Sequence, residues 1–319
     1  MSTRDSIPFV FAHPTLDRLT LQRKNAAWLD TALHATDTCF VPVCDEQNVM
    51  IGQGEHAAPL LLQSATAQAL LRDAYCAVLL GQYQGHPCFA LGLSQTSRLP
   101  SGATFTNLRP QFGVMDDEAL ALLGYARAMV HWHLHNRFCG RCGNTTESRN
   151  AGYELHCARC GEVIYPRISP AIIVLVSHGE RCLLGNQSSW DRDRYSTIAG
   201  FVEPGEDLES AVRREVFEET NIRIGTLQYQ HSQPWPYPAS LMLGFQAEAL
   251  DTDIRCNDGE LLDARWFSRA EILVELGDGR LSLPTRQSIS YRLLCEWFEQ
   301  TGGRYTADAL AAASRKQPA

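Results

Sequence analysis

Between Gly200 and Ile222 the sequence runs Gly-Phe-Val-Glu-Pro-Gly-Glu-Asp-Leu-Glu-Ser-Ala-Val-Arg-Arg-Glu-Val-Phe-Glu-Glu-Thr-Asn-Ile. Glu215, Glu218 and Glu219 are spaced i, i+3, i+4, so a helix sets three carboxylates on one face. Leu208, Ala211 and Val212 lie on much the same face, which turns the carboxylates inward. Clustered inward carboxylates are unfavourable unless a cation joins them. Arg214 can reach Glu218 or Glu206 and offset part of the charge. Hard oxygen donors of this kind suit Mg²⁺ or Mn²⁺ better than zinc. Such an ion bridges diphosphate oxygens and acidifies a bound water, the chemistry of phosphoanhydride hydrolysis. The glycines permit a loop whose backbone can approach phosphate or metal closely. A solvated acidic helix explains an isolated Arg-Glu-x-x-Glu-Glu, but not one with Gly200 and Glu206 at these offsets.

A second group is formed by Cys139-x-x-Cys142 and Cys157-x-x-Cys160, fourteen residues apart, each pair followed by glycine. Two such knuckles close a tetrahedral thiolate site, which predicts one structural zinc per chain. Four thiolates leave no open coordination position, so this zinc is not catalytic. Arg137, Arg141, Arg149, Arg159 and Arg167 surround the pairs, yet Glu147, Glu154 and Glu162 interleave with them, which reads as solvated charge rather than an RNA surface. His131, His133 and His135 alternate along an expected helix and do not share a face as ligands would; they read as surface and interface residues. The other seven cysteines, scattered among apolar residues, read as reduced fillers.

The elements that must position these groups follow from the pattern. Thr38 to Leu93 alternates apolar runs with turns, a strand-rich region, with a helix over Ala65 to Tyr75. From Asp116, a plausible cap, the pattern is helical and leads into the cysteines. Ala171 to Val176 and Arg181 to Gly185 read as a hairpin, and Ser196 to Ala199 as a strand broken by Gly200. Then follow a helix over Leu208 to Thr220, strands near Ile222 to Gln230 and Leu241 to Leu250, and two later helices, the second over Thr285 to Phe298. The stretch Ser232-Gln-Pro-Trp-Pro-Tyr-Pro-Ala-Ser240 carries alternate prolines and reads as a rigid loop. Trp235 and Tyr237 there suit a planar nucleotide base; a turn with buried aromatics explains the composition equally well.

With 319 residues, 45% of them hydrophobic, at least two domains are expected. A net charge of −8 disfavours a sequence-independent nucleic-acid binder, though not a phosphate-bearing small substrate. No run of about eighteen apolar residues occurs, and the first residues lack a secretory pattern, so a soluble cytoplasmic protein is expected.

The segment resembles the Nudix box, G-x5-E-x7-R-E-U-x-E-E-x-G-U, at Gly200, Glu206, Arg214, Glu215, Val216, Glu218, Glu219 and Ile222. Its second glycine is replaced by Asn221, the next-best residue for a left-handed helix end, so a slight loss of stability and no loss of chemistry are expected. The proline-rich stretch resembles the S-Q-P-W-P-F-P-x-S signature of the NADH pyrophosphatase subfamily, with Tyr237 for phenylalanine. Zinc ribbon, box and signature stand in that subfamily's order, so the resemblance spans nearly the whole chain.

The resemblance implies an α+β chain: an N-terminal degenerate Nudix-like domain (1–130), a zinc ribbon (131–167), a Nudix α/β/α sandwich (168–300) and a C-terminal tail (301–319). No second Arg-Glu-x-x-Glu-Glu precedes the ribbon, so the first domain is not a second site of this type; dimer support is its expected role. By resemblance, Glu215, Glu218, Glu219 and Glu260 are the Mg²⁺ or Mn²⁺ ligands with the carbonyl of Ala199, and Glu219 activates water. Phe201 and Tyr165 resemble the pair that sandwiches nicotinamide, Tyr165 reaching across a homodimer interface. Gln233, Pro234, Trp235, Pro236, Tyr237, Pro238, Ala239 and Ser240 would line the rest of the pocket. Ser290, where alanine is the subfamily's pattern, would alter contacts near the ligand. The implied substrates are NADH or NAD⁺, split to a nicotinamide mononucleotide and AMP, and NAD-capped RNA. Two alternatives stand beside this: another Nudix specificity, such as ADP-ribose or a dinucleoside polyphosphate, and a non-catalytic NAD sensor.

Overall fold

The computed structural model describes residues 9–12, 16–52, 57–95, 97, 99–257 and 259–314. The chain forms two compact units. One comprises Met1–Ile168 together with Trp235–Ala239, the other Ser169–Pro234 and Ser240–Ala319.

Among the described residues, the first unit holds a seven-stranded sheet whose central path runs Ala58–Pro59, Gln47–Ile51, Cys39–Cys44, His86–Leu93, Cys76–Tyr83. Cys39–Cys44 and His86–Leu93 pair in parallel at its centre. Both are near-continuous apolar runs because both sheet faces are covered. Val41, Val43, Val78 and Leu80 pack with helix Asp117–His135 on one face. Phe40, Cys44, Leu79 and Leu91 pack with Ala67 and Leu70 of helix Ser64–Asp73 on the other. Asp116 caps the long helix, its Oδ1 accepting the backbone N–H groups of Glu118 and Ala119.

The cysteine-bearing segment forms a three-stranded sheet, Thr146–Arg149, Glu154–Cys157 and Val163–Ile164. It docks on the same unit through Gly152, where an added Cβ would come within 2.8 Å of Val78 and whose carbonyl lies 2.8 Å from His133 Nε2. Here the reading of the histidines needs correction. His133 is buried, whereas His131 and His135, one helical turn apart, do share a face, with ring centroids 4.1 Å apart.

The second unit, again among the described residues, is built on a six-stranded sheet in the order Ile224–Trp235, Ser240–Ala249, Ser169–His178, Arg181–Gln187, Leu261–Ser268, with Ile198–Phe201 pairing antiparallel to Ser169–His178. Ser169–His178 also pairs in parallel with Ser240–Ala249 over nine positions. Ile172, Val174 and Val176 face helix Leu208–Thr220 through Val212 and Val216. Helix Ile289–Glu299 covers the opposite face, where Ile289 sits 2.8 Å from the position a Cβ on Gly244 would take. The result is the α/β/α sandwich that the resemblance implies.

Two segments differ from the sequence reading. The proline-rich stretch is not wholly a loop: strand Ile224–Trp235 runs through Pro234. This strand is at the sheet edge, where a missing N–H is tolerated. The segment read as a tail carries a helix, Ala307–Ser314, whose Leu310 is fully buried; residues 315–319 lie outside the described set.

Candidate active site

Helix Leu208–Thr220 starts at Asp207, whose Oδ1 accepts the backbone N–H of Ser210 at 2.7 Å. It stops at Asn221, with φ 63° and ψ 8°, whose N–H reaches the Phe217 carbonyl and whose Nδ2 donates to Asp253 O. The left-handed turn that glycine would supply is thus made by asparagine with a local hydrogen bond in support. Ala211, Val212, Val216, Glu219 and Thr220 are buried along the inner face. The three acids grade in exposure: Glu219 is 3% exposed, the Glu215 side chain 13% and that of Glu218 51%.

Gly200 faces Glu215 across this helix. A Cβ on Gly200 would lie 2.0 Å from Glu215 Cδ and 2.1 Å from its Oε1, so only glycine leaves room for that carboxylate. Arg214 braces the opposite side. It binds Glu206 bidentately, Nε to Oε1 at 2.6 Å and Nη2 to Oε2 at 2.8 Å, and its Nη1 lies 2.9 Å from Glu215 Oε1 and 3.0 Å from Glu218 Oε2. Nη2 also donates to the Phe201 carbonyl. The sequence offered Glu206 or Glu218 as its partner; the side chain engages both, and Glu215 as well.

The electrostatics follow. The Arg214 guanidinium, aided by the Glu203 N–H, holds the Glu206 carboxyl down at about 2. Burial pushes Glu215 upward; Arg214 opposes this, while Glu218 and Glu260 add to it. Glu260, whose carbonyl accepts the Ser188 N–H, therefore belongs to the electrostatic surroundings of Glu215 although 45 positions separate them in the chain. Oxygen donors around a cradle that a Cβ would fill fit a hard divalent cation. Among the described residues, the four cysteines are the metal-binding group already gathered as they stand; the box carboxylates are spaced around Arg214.

The cysteine Sγ atoms all lie within 4.8 Å of one another, with Cys139 to Cys160 at 3.6 Å and Cys142 to Cys157 at 3.4 Å. Tetrahedral zinc holds thiolates about 3.8 Å apart, so the set fits it. Gly143 and Gly161, with φ of 71° and 75°, make the left-handed turn after each pair and donate to the carbonyls of Cys139 and Cys157. Backbone N–H groups, that of Cys160 foremost, pull the Cys157 thiol down to about 7.

The remaining residues singled out by sequence fall into three environments. Phe201 and Tyr165 are exposed, at 59% and 58%, and Ala199 is half-buried in register with Ile173. Gln233 is fully buried; its Nε2 donates to Gln287 O and its Oε1 accepts the Ile289 N–H, tying strand to helix start. Ser240 is buried. Pro236, Pro238 and Ala239 share the first unit with Trp235 and Tyr237. The rings of Trp235 and Tyr237 pack on Phe11 and Phe112, and the guanidinium carbons of Arg109 and Arg127 each lie 4.5 Å from the Tyr237 centroid. Both rings are half-buried in this arrangement, packed against the core of the first unit. Ser290 needs a correction too: it is 2% exposed, and its hydroxyl meets Thr197 Oγ1 at 2.8 Å and Ser196 Oγ at 3.0 Å, an internal network. Sequence reasoning missed Arg109, Arg127 and Thr197, for which no local spacing gives a signal.

An acidic helix face that grades from buried Glu219 to exposed Glu218, a glycine cradle and an arginine brace on an α/β/α sandwich define a Nudix-type diphosphate hydrolase centre. Family models agree in order along the chain: an NADH pyrophosphatase-like rudimentary NUDIX domain matches residues 37–132, an NADH pyrophosphatase zinc ribbon domain 134–165, and a NUDIX domain 166–286. The NAD-capped RNA hydrolase NudC of Pseudomonas aeruginosa is 38% identical over 224 residues, covering 70% of this chain and 77% of that protein. That of Stutzerimonas stutzeri is 40% identical over 225 residues, 70% of this chain and 78% of the relative. Human NAD-capped RNA hydrolase NUDT12 is 37% identical over 196 residues, 57% of this chain and 42% of that protein. The chain belongs to the NADH pyrophosphatase and NAD-capped RNA hydrolase family of Nudix hydrolases.

Proposed function

We propose that this chain hydrolyses the diphosphate of NADH or NAD⁺ to a nicotinamide mononucleotide and AMP, and removes NAD from the 5′ end of RNA to leave a 5′-monophosphate. The observation that carries the reading is the acidic helix face, with Glu219 buried, Glu215 seated against Gly200 and Arg214 bridging Glu206, Glu215 and the more exposed Glu218. This face stands in a chain whose relatives are named for NAD-cap hydrolysis.

Glu215, Glu218, Glu219 and Glu260, with the Ala199 carbonyl, would hold Mg²⁺ or Mn²⁺. When bound, such an ion neutralises developing charge on the diphosphate and acidifies the attacking water. A Glu219 carboxylate oxygen accepts that water's proton, and its burial keeps it oriented. Arg214 keeps Glu215 and Glu218 from repelling one another. Phe201 and Tyr165 present exposed rings suited to nicotinamide stacking, Tyr165 being contributed across a homodimer interface. By the subfamily signature, the segment from Gln233 to Ser240 is assigned to the rest of the nucleotide-binding site. The ribbon cysteines hold one structural zinc, and the protein works in the cytoplasm as a homodimer. Among the described residues no helix is long and apolar enough to cross a membrane.

The test is a product assay. Free NADH, NAD⁺, NAD-capped RNA, triphosphate RNA, ADP-ribose and a dinucleoside polyphosphate are incubated with the dialysed protein plus Mg²⁺ or Mn²⁺. Selective cleavage of the nicotinamide-bearing substrates is expected; indifference to nicotinamide sinks the proposal in favour of a broader Nudix specificity.

A further inference from the structure

In the first unit, away from the acidic helix, Cys39 stands opposite Cys88 on two neighbouring parallel strands. Both thiols belong to the same face of the sheet: Cys88 is fully buried in the core beneath helix Asp117–His135, and Cys39 packs against the edge of that core. Neighbouring strands lie about 4.8 Å apart, within the roughly 4.4 to 6.8 Å that a disulfide spans between Cα atoms. The two thiols are close enough to shift one another's ionisation.

Access is asymmetric. Cys39 lines a cavity of about 190 Å³ together with Asp37, Leu62, Gln63, Tyr83 and His86. His86 Nδ1 lies 3.2 Å from Asp37 Oδ2, and both side chains are more than half exposed. Cys88 is not part of that lining. The neighbouring Cys88 thiol holds the Cys39 thiol below its ordinary value, while Cys39 and burial push Cys88 well above. Buried Cys44, Cys76 and Cys182 are pushed upward by desolvation and are inert by comparison.

We propose that Cys39 and Cys88 form an oxidisable pair: a small hydroperoxide entering the cavity oxidises Cys39, and Cys88 converts the product to a disulfide. In the first step the Cys39 sulfur attacks a peroxide oxygen and the O–O bond breaks. The other oxygen departs with the thiol proton as water or an alcohol, and Cys39 becomes a sulfenic acid. In the second step the Cys88 sulfur attacks the Cys39 sulfur, the S–S bond forms and the S–O bond breaks. The oxygen leaves as water with the proton from Cys88. Two electrons pass from the two thiols to the peroxide.

The experiment uses the full, zinc-loaded chain treated with hydrogen peroxide, followed by intact mass, zinc release and non-reducing peptide mapping. A loss of two hydrogens before zinc is released, mapped to a Cys39–Cys88 cross-link, is expected. In Cys88→Ser the oxidation should stop at Cys39 as a sulfenic acid that a 1,3-dione probe labels, and Cys39→Ser should abolish both products. Should Cys88→Ser fail to fold, the wild-type time course decides alone. Zinc-site cysteines oxidised while Cys39 and Cys88 both stay alkylatable after denaturation would overturn the proposal.

Discussion

The carboxylate of Glu215 occupies the space beside Gly200 that any other residue's Cβ would claim, 2.0 Å from the Glu215 Cδ. A glycine that opens the catalytic loop and a glutamate fifteen positions later are thereby one steric unit.

Gly200→Ala should therefore move Glu215 and leave the fold standing, because Gly200 is not among the positive-φ residues. Displacement of a positioned group by about 1 Å costs on the order of 10²-fold in rate. A fall of that size in kcat for NADH, with unchanged circular dichroism and zinc content, is the expected result.

Glu219→Gln removes a buried carboxylate while keeping its shape. Turnover should fall by about 10² to 10⁴-fold, the range for loss of a general base. Undiminished activity with added Mg²⁺ or Mn²⁺ would contradict the role given to this helix. A wild-type protein that binds NAD without cleaving it would favour a sensor.

Glu206 carries a pH signature. Its pKa is about 2 in the fold against an ordinary 4.5, a depressed carboxylate. The stability it contributes is present above the unfolded value and is lost as pH falls from about 4.5 towards about 2. The gap in denaturation midpoint between wild type and Glu206→Gln should be open at neutral pH and close across that acid range.

Glu215 has the opposite sign. Burial raises it above 4.5, so the metal-free fold is favoured below that value and loses this contribution as pH rises through the folded pKa. A divalent cation competes with the proton for the same oxygens. Thermal shifts on adding Mg²⁺ or Mn²⁺ should be larger at about pH 7.5 than at about pH 5; equal shifts would place the ion elsewhere.

The ribbon offers a separate test. With four Sγ atoms within 4.8 Å, one zinc per chain should survive dialysis. Cys157→Ser or a strong chelator should lower the melting temperature of the first unit, whose strand at Val78 contacts the ribbon at Gly152. Retained stability without zinc would remove the structural role.

Much of the centre was legible in the sequence because it is local. The i, i+3, i+4 acids, the helix from Leu208 to Thr220, the left-handed end at Asn221 and the paired cysteines follow from helical periodicity, capping and knuckle spacing within about twenty residues. Those features also carried the family.

What the tertiary structure decided is which atoms meet across long stretches of chain. The Trp235 and Tyr237 rings are held by Phe11, Phe112, Arg109 and Arg127, Ser290 closes on Thr197, and Cys39 lies opposite Cys88. None of these pairings has a sequence period. Each depends on strand register and helix docking, which are settled by burial of the whole sheet rather than by any one segment's pattern. Even Gly200 shows the division: its place in the motif was written in the chain, but the neighbour that requires it was chosen when the acidic helix packed against the sheet.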